Sequence, residues 1–169
     1  MTRSSGTKRG LAGTTLPALL HDLIFADKVD LTDPNMAGVV GSVWCGAEYP
    51  ERCLDPYYWT DIFRDNGYIN DGVLAERPMT PITLYRGCCS DRKLGMSWTS
   101  DLEVARRFAY DGLRGRRAGH VYIFDEACGW DLLAYIGEKI GRNESEYVVD
   151  WEVLEMHEDE IRLFETKRA

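Results

Sequence analysis

The sequence predicts an α+β domain in which helices come first and a mainly antiparallel sheet follows. Three observations predict it. Up to about residue 79 the apolar residues recur at helical spacing. From residue 80 they fall in short runs bounded by Gly, Asp or Asn. No stretch repeats another, which excludes a solenoid or propeller. The 169 residues make one domain, long enough to bury about 70% of the surface its unfolded chain exposes.

Residues 1–14 are rich in Ser, Thr, Gly, Lys and Arg and are expected to be disordered. Leu16, Leu19, Leu20, Leu23 and Ile24 define a helix over 16–25, with Pro17 tolerated in its first turn. Met36 to Trp44 reads as a second helix, weakened by Gly38 and Gly41. Asp55 as N-cap, Pro56 at the first position and Asn66-Gly67 as a stop set a third over 55–65, whose aromatics Tyr58, Trp59 and Phe63 are read as packing. The helical part therefore spans about 15–79 and a β-rich core about 80–165, in a single domain over 15–169. In that core Pro81 to Arg86 is a strand closed by Gly87, and Leu94 to Thr99 is a second extended piece. Ser100-Asp-Leu-Glu103 has the spacing of a capping box and opens a helix over about 101–110, with Leu102, Ala105, Phe108 and Ala109 on one face. A Gly/Arg-rich loop runs from Asp111 to Gly119. Strands are expected at His120–Phe124, Leu132–Ile136 and Glu146–Leu154, with a fourth at Ile161–Phe164.

Composition bounds the function. Hydrophobic residues make up 44% and charged residues 28%, ordinary values for a globular protein. A net charge of −8 argues against general nucleic-acid binding, which draws on Lys and Arg contacts to phosphate. It suits a basic partner or an arginine side chain better. The cluster Arg114, Arg116, Arg117 leaves room for a local phosphate site. Five cysteines form no CxxC pair, no apolar run approaches 18 residues and no secretory segment precedes them. A cytoplasmic protein with free thiols and no membrane partner is expected. The three histidines are scattered, so no metal site is expected.

The chemistry concentrates at three places. Glu144-Ser145-Glu146 precedes Tyr147-Val148-Val149, a strand-forming run. On one strand the two carboxylates would share a face about 7 Å apart. Such a pair repels itself unless a cation or a cationic transition state lies between. Arg86 ends an apolar run and is followed by Gly87, a pairing that suits a phosphate or carboxylate approached closely by backbone. Ser97 and Thr99 put two hydroxyls on one face of a short strand.

This ordered set, Arg86-Gly87, Ser97-Trp98-Thr99 and Glu144-Ser145-Glu146, resembles the arginine–serine–glutamate class of mono-ADP-ribosyltransferases over about residues 80–165, with a helical lead as many members have. The resemblance implies a split β-sheet core of ADP-ribosyltransferase type. It implies NAD as substrate, no metal, and transfer of ADP-ribose to an unidentified protein acceptor through arginine, with nicotinamide released. Arg86 would bind a phosphate of NAD and Gly87 would contact the nicotinamide through its backbone. Ser97, with Thr99, would support the nicotinamide ribose, and Ser97 would orient Glu146. Glu146 would hold the ribose 2′-hydroxyl and stabilise the oxocarbenium-like transition state. Glu144 would hold and activate the acceptor guanidinium. Gly137–Asn143 would be the acceptor-recognition loop and Tyr110–Gly119 would cover the pyrophosphate. Phe108 is read as a core residue that alternatively stacks on nicotinamide. The middle position of the usual serine–threonine–serine motif is Trp98 here, which puts the hydrogen bonding behind the site in question. Three alternatives stay open: an NAD glycohydrolase using water as acceptor, a non-catalytic NAD-binding or interaction module of the same fold, and a thiol enzyme built on Cys88 or Cys89 with His120.

Overall fold

Three aromatic rings set the position of the helical layer in the computed structural model, which describes residues 15–111 and 119–166. Trp44 of α2 (Met36–Gly46) meets Trp59 and Phe63 of α4 (Pro56–Asn66) edge-on, at ring separations of 5.1 and 5.7 Å. All three are within 1% of full burial. Edge-to-face contacts of this kind add to the area term. α1 (Leu16–Phe25) lies before them, capped by the Thr15 hydroxyl, and α3 (Pro50–Cys53) is a single turn between α2 and α4. Asp55 caps α4 and Pro56 takes its first position, as the sequence predicts. Tyr58 departs from its expected packing role: it is half exposed and rests on His21.

The sheet has eight strands in the order β2-β1-β6-β7-β4-β3-β5-β8. They are β1 (Ile69–Asn70), β2 (Val73–Leu74), β3 (Ile82–Cys88), β4 (Ser97–Thr99), β5 (His120–Ala127), β6 (Leu132–Ile136), β7 (Glu146–Val149) and β8 (Arg162–Thr166). All neighbours are antiparallel except β1 and β6, so the sheet is mixed. α5 (Leu102–Tyr110) packs Ala105 and Ala109 against Tyr85 and Val121 of the sheet. α6 (Trp151–Met156) follows β7 directly. Among the described residues no helix is long and apolar enough to cross a membrane.

Four expectations are corrected. The part read as helical, 15–79, contains the hairpin β1–β2. Asp71-Gly72 forms its two-residue turn with φ of 49° and 93°, the positive values an Asp-Gly hairpin turn requires. The strand expected to run to Leu154 stops at Val149, because the Asp150 carboxylate accepts from the Glu152 N–H and caps α6. The cap of α5 is Asp101 and not Ser100: its carboxylate accepts from the N–H groups of Glu103 and Val104. Finally, Glu144 is not on the strand. Asn143 and Ser145 have φ of 55° and 46°, so the chain turns through residues 143–145 and the ladder starts at Glu146. The expectations for residues 1–14 and for Arg114, Arg116 and Arg117 fall outside the described residues.

Candidate functional site

β7, β4 and β3 are adjacent, and registration across them aligns Glu146 with Thr99 and Thr99 with Tyr85. A cleft of about 370 Å³ opens on this row. Arg86, Gly87, Ser97, Thr99, Phe108, Glu144 and Glu146, all singled out in the sequence, line it. Residues from three strands, a turn and α5 thus meet in one place.

Arg86 is held tightly. Its Nε donates to the Arg92 carbonyl at 3.0 Å and an Nη donates to the Ser97 carbonyl. These bonds use two of its five N–H donors, and the Cys88 side chain is within hydrogen-bonding reach of the same guanidinium. The guanidinium lies over Gly95: a Cβ there would sit 1.9 Å from its nitrogen. Gly87 meets a harder wall, since a Cβ would stand 1.9 Å from the Ala105 carbonyl oxygen. Only glycine lets α5 approach β3 this closely.

Glu146 is placed by the helical layer. Its Oε1 accepts from the Trp44 indole N–H at 3.0 Å. Trp44, a residue the sequence reading had not connected to the site, thus supplies an orienting bond to Glu146, while the Ser97 carbonyl accepts from Arg86. The Cys45 thiol also lines the cleft, and burial together with the Glu146 charge pushes its pKa up to about 12. Thr99 uses its hydroxyl within the protein. It donates to the Glu144 carbonyl at 2.7 Å and accepts from the Asp101 N–H at 3.0 Å, which ties the 143–145 turn to the start of α5. The Ser100 N–H reaches the Ser145 carbonyl at 3.2 Å and reinforces the same turn. Glu144 therefore enters the cleft from a braced turn and not from a pleat. Trp98, the unusual middle residue of its motif, is 2% exposed, packs on Phe124 and donates its indole N–H to the Gly95 carbonyl, at the wall of the cleft. Phe108 is half-buried and lines the cleft, outside the apolar core clusters.

One further residue went unnoticed. The Asp71 carboxylate accepts from the N–H groups of Gly137, Lys139 and Ile140 at 2.9, 3.1 and 3.3 Å. It holds the first half of the 137–143 loop to the β1–β2 turn. The Asp-Gly pair between two short apolar runs was the available signal. Cys88 and His120 are register partners across β3 and β5. Burial raises the Cys88 pKa, the wrong direction for a thiolate nucleophile, and the His120 ring bonds to Thr166.

Comparison with the models of known families, with curated protein sequences and with solved structures finds no match to this chain.

Proposed function

We propose that the protein is an NAD-dependent mono-ADP-ribosyltransferase that modifies arginine on a protein acceptor. The observation that carries the reading is the convergence of Arg86, Ser97 and Glu146 from three adjacent strands on one cleft, with Glu144 beside them. Arg86 keeps donors for a phosphate of the dinucleotide. Glu146, oriented by Trp44, faces the nicotinamide ribose and opposes the positive charge that grows on C1′ as the glycosidic bond breaks. Nicotinamide leaves with the bonding electron pair. A guanidinium nitrogen of the acceptor forms the new bond to C1′, and its proton passes to Glu144, whose carboxylate also neutralises the arriving cation. The turn braced by Thr99 favours this division of labour, because it holds Glu144 off the strand that carries Glu146 while keeping both at the cleft.

The test is incubation of the protein with labelled NAD and a cell lysate, with nicotinamide release followed in parallel and the modified residue identified by mass spectrometry. Label on arginine is the expected outcome. Nicotinamide release without protein label identifies a glycohydrolase instead. NAD binding without release identifies a non-catalytic module.

A further inference from the structure

Gly38 and Gly41 weaken α2 in the sequence, and the structure shows what they make room for. A Cβ on Gly38 would stand 3.3 Å from the Gly72 carbonyl oxygen in the β1–β2 turn. A Cβ on Gly41 would stand 2.5 Å from Ile140 Cδ1, and one on Gly72 2.9 Å from Ile140 Cγ2. Ile140 of the 137–143 loop is thus seated between α2 and the turn, in space that Gly41 and Gly72 leave open. The Asp71 carboxylate holds the same loop. Its Oδ1 accepts from the Gly137 and Ile140 N–H groups and its Oδ2 from that of Lys139. The loop closes on itself as the Gly141 N–H donates to the Gly137 carbonyl at 3.1 Å. Asp71 therefore caps a turn 66 residues further along the chain, as an N-cap carboxylate caps a helix. From that turn the chain runs through Gly141 and Arg142 to Glu144, all on the wall of the cleft. α2 supports both sides of the cleft: Gly41 seats Ile140, and Trp44, one turn on, holds Glu146.

We infer that Asp71 and Ile140 are positioning residues for the acceptor side of the cleft. They hold the 137–143 loop, and through it Glu144, in a shape that is complete before an acceptor arrives. The inference rests on the reading of Glu144 as the group that receives the acceptor guanidinium, and adds to it: transfer depends on the β1–β2 hairpin, whereas cleavage of NAD by water does not. A loop already ordered loses little entropy when a guanidinium docks beside it. Without the carboxylate its three N–H groups turn to water, and the loop must be ordered again for each acceptor. Water needs no such wall.

The experiment compares the unmodified protein with Asp71→Gly, Asp71→Asn and Gly41→Ala. Asp71→Gly suits the positive φ of that position and removes the carboxylate. Asp71→Asn keeps an oxygen for Gly137 and Ile140 and turns a donor toward the Lys139 N–H. Gly41→Ala pushes Ile140 from its seat while favouring the helix. Backbone hydrogen exchange followed by NMR reads the loop without reference to activity. The Gly137, Lys139 and Ile140 amides should exchange about tenfold or more faster in Asp71→Gly, and to a lesser degree in the other two variants. Nicotinamide release in buffer and transfer of label to agmatine, a small guanidine, are measured on the same preparations. The KM for agmatine should rise about tenfold in Asp71→Gly and about threefold in Asp71→Asn and Gly41→Ala, with release in water staying within about twofold. A merely structural role would lower both activities together, and that outcome overturns the inference. Unchanged loop exchange or an unchanged KM in Asp71→Gly does the same. If Asp71→Gly unfolds, Asp71→Asn and Gly41→Ala decide by the same criteria. An unmodified protein that releases no nicotinamide, or releases it without labelling agmatine, removes the transferase reading and this inference with it; transfer that Asp71→Gly leaves intact removes the inference alone.

Discussion

β4 has two neighbours and treats them differently. Against β7 all three of its residues are registered: Ser97 with Val148, Trp98 with Tyr147 and Thr99 with Glu146. Against β3 it meets a single registered partner, Tyr85 opposite Thr99. Beyond that pair the Ser97 carbonyl takes its hydrogen bond from the Arg86 side chain. A buried carbonyl must find a donor, and where the ladder is interrupted a guanidinium supplies it. The firm seam holds the glutamate at the start of β7 in place, while the interrupted seam makes room for an arginine that lines the cleft.

The sharpest way to break this contrast is at the firm seam. Glu146→Gln keeps the acceptor for the Trp44 indole and removes the charge. Nicotinamide release and protein labelling should both fall by about 10²–10³-fold, the scale seen when one electrostatic contact to a transition state is lost. Parallel assays of the two activities check it, and full activity in this variant would reverse the roles of the two glutamates.

The interrupted seam is probed by Arg86→Ala and Gly95→Ala. The first should cost about 1.5–3 kcal/mol of NAD affinity, with partial recovery in Arg86→Lys, which lacks the planar fork. The second should weaken NAD binding in the same direction with little loss of stability, because the clash is with the far end of a side chain. Gly87→Ala meets backbone on α5 and should lower stability by about 1–3 kcal/mol. Calorimetry and thermal denaturation on the three variants separate these outcomes; unchanged NAD affinity in Arg86→Ala removes its assignment.

Glu144→Gln tests the turn that leans on the firm seam. Arginine labelling should drop about tenfold more than NAD hydrolysis, since water needs less positioning than a guanidinium. Equal losses in the two assays would remove the division between the glutamates.

The smallest expected effect lies at the outer edge, where α5 is tied to β8. Arg106 donates to both Glu165 oxygens at 2.8 and 2.9 Å, and Tyr110 adds a third bond. The Arg106 contact holds the Glu165 pKa below its ordinary value. A depressed folded-state pKa gives stability that is present above the unfolded value, about 4.3, and lost as pH falls through the folded one. Glu165→Gln should remove that portion, the smallest of these effects because solvent screens the pair. Denaturation at pH 7 and near pH 3 measures it; a variant equally destabilised at both pH values would contradict the assignment.

Most helices were legible because their signals are local. Pro17, Pro56 and Asp55 act within one turn of where they stand. The same locality explains the misses. Ser100 and Asp101 are both capping residues, and the choice between them went to Asp101 because the Thr99 hydroxyl already binds the Asp101 N–H. The run Tyr147 to Leu154 has strand character throughout, yet Asp150 ends it by pairing with Arg64 while capping α6. The Glu-x-Glu pattern looked like one face of a strand; the positive φ at Asn143 and Ser145 is stabilised by bonds from Thr99 and Ser100, which no window around residue 145 contains.

The sequence by itself determined the α+β class, the caps and turns of most elements, and a set of candidate side chains, Arg86, Ser97, Glu144 and Glu146, which line one cleft. These depend on interactions within a few residues or on residue type alone. Only the tertiary structure decided how those side chains are held. Trp44 orients Glu146 from 102 residues away, Asp71 binds the 137–143 loop from 66 residues before it, and Arg86 replaces a missing ladder bond. Each of these satisfies a polar group that folding removed from water, and the partner it finds is set by which strands become neighbours, not by proximity along the chain.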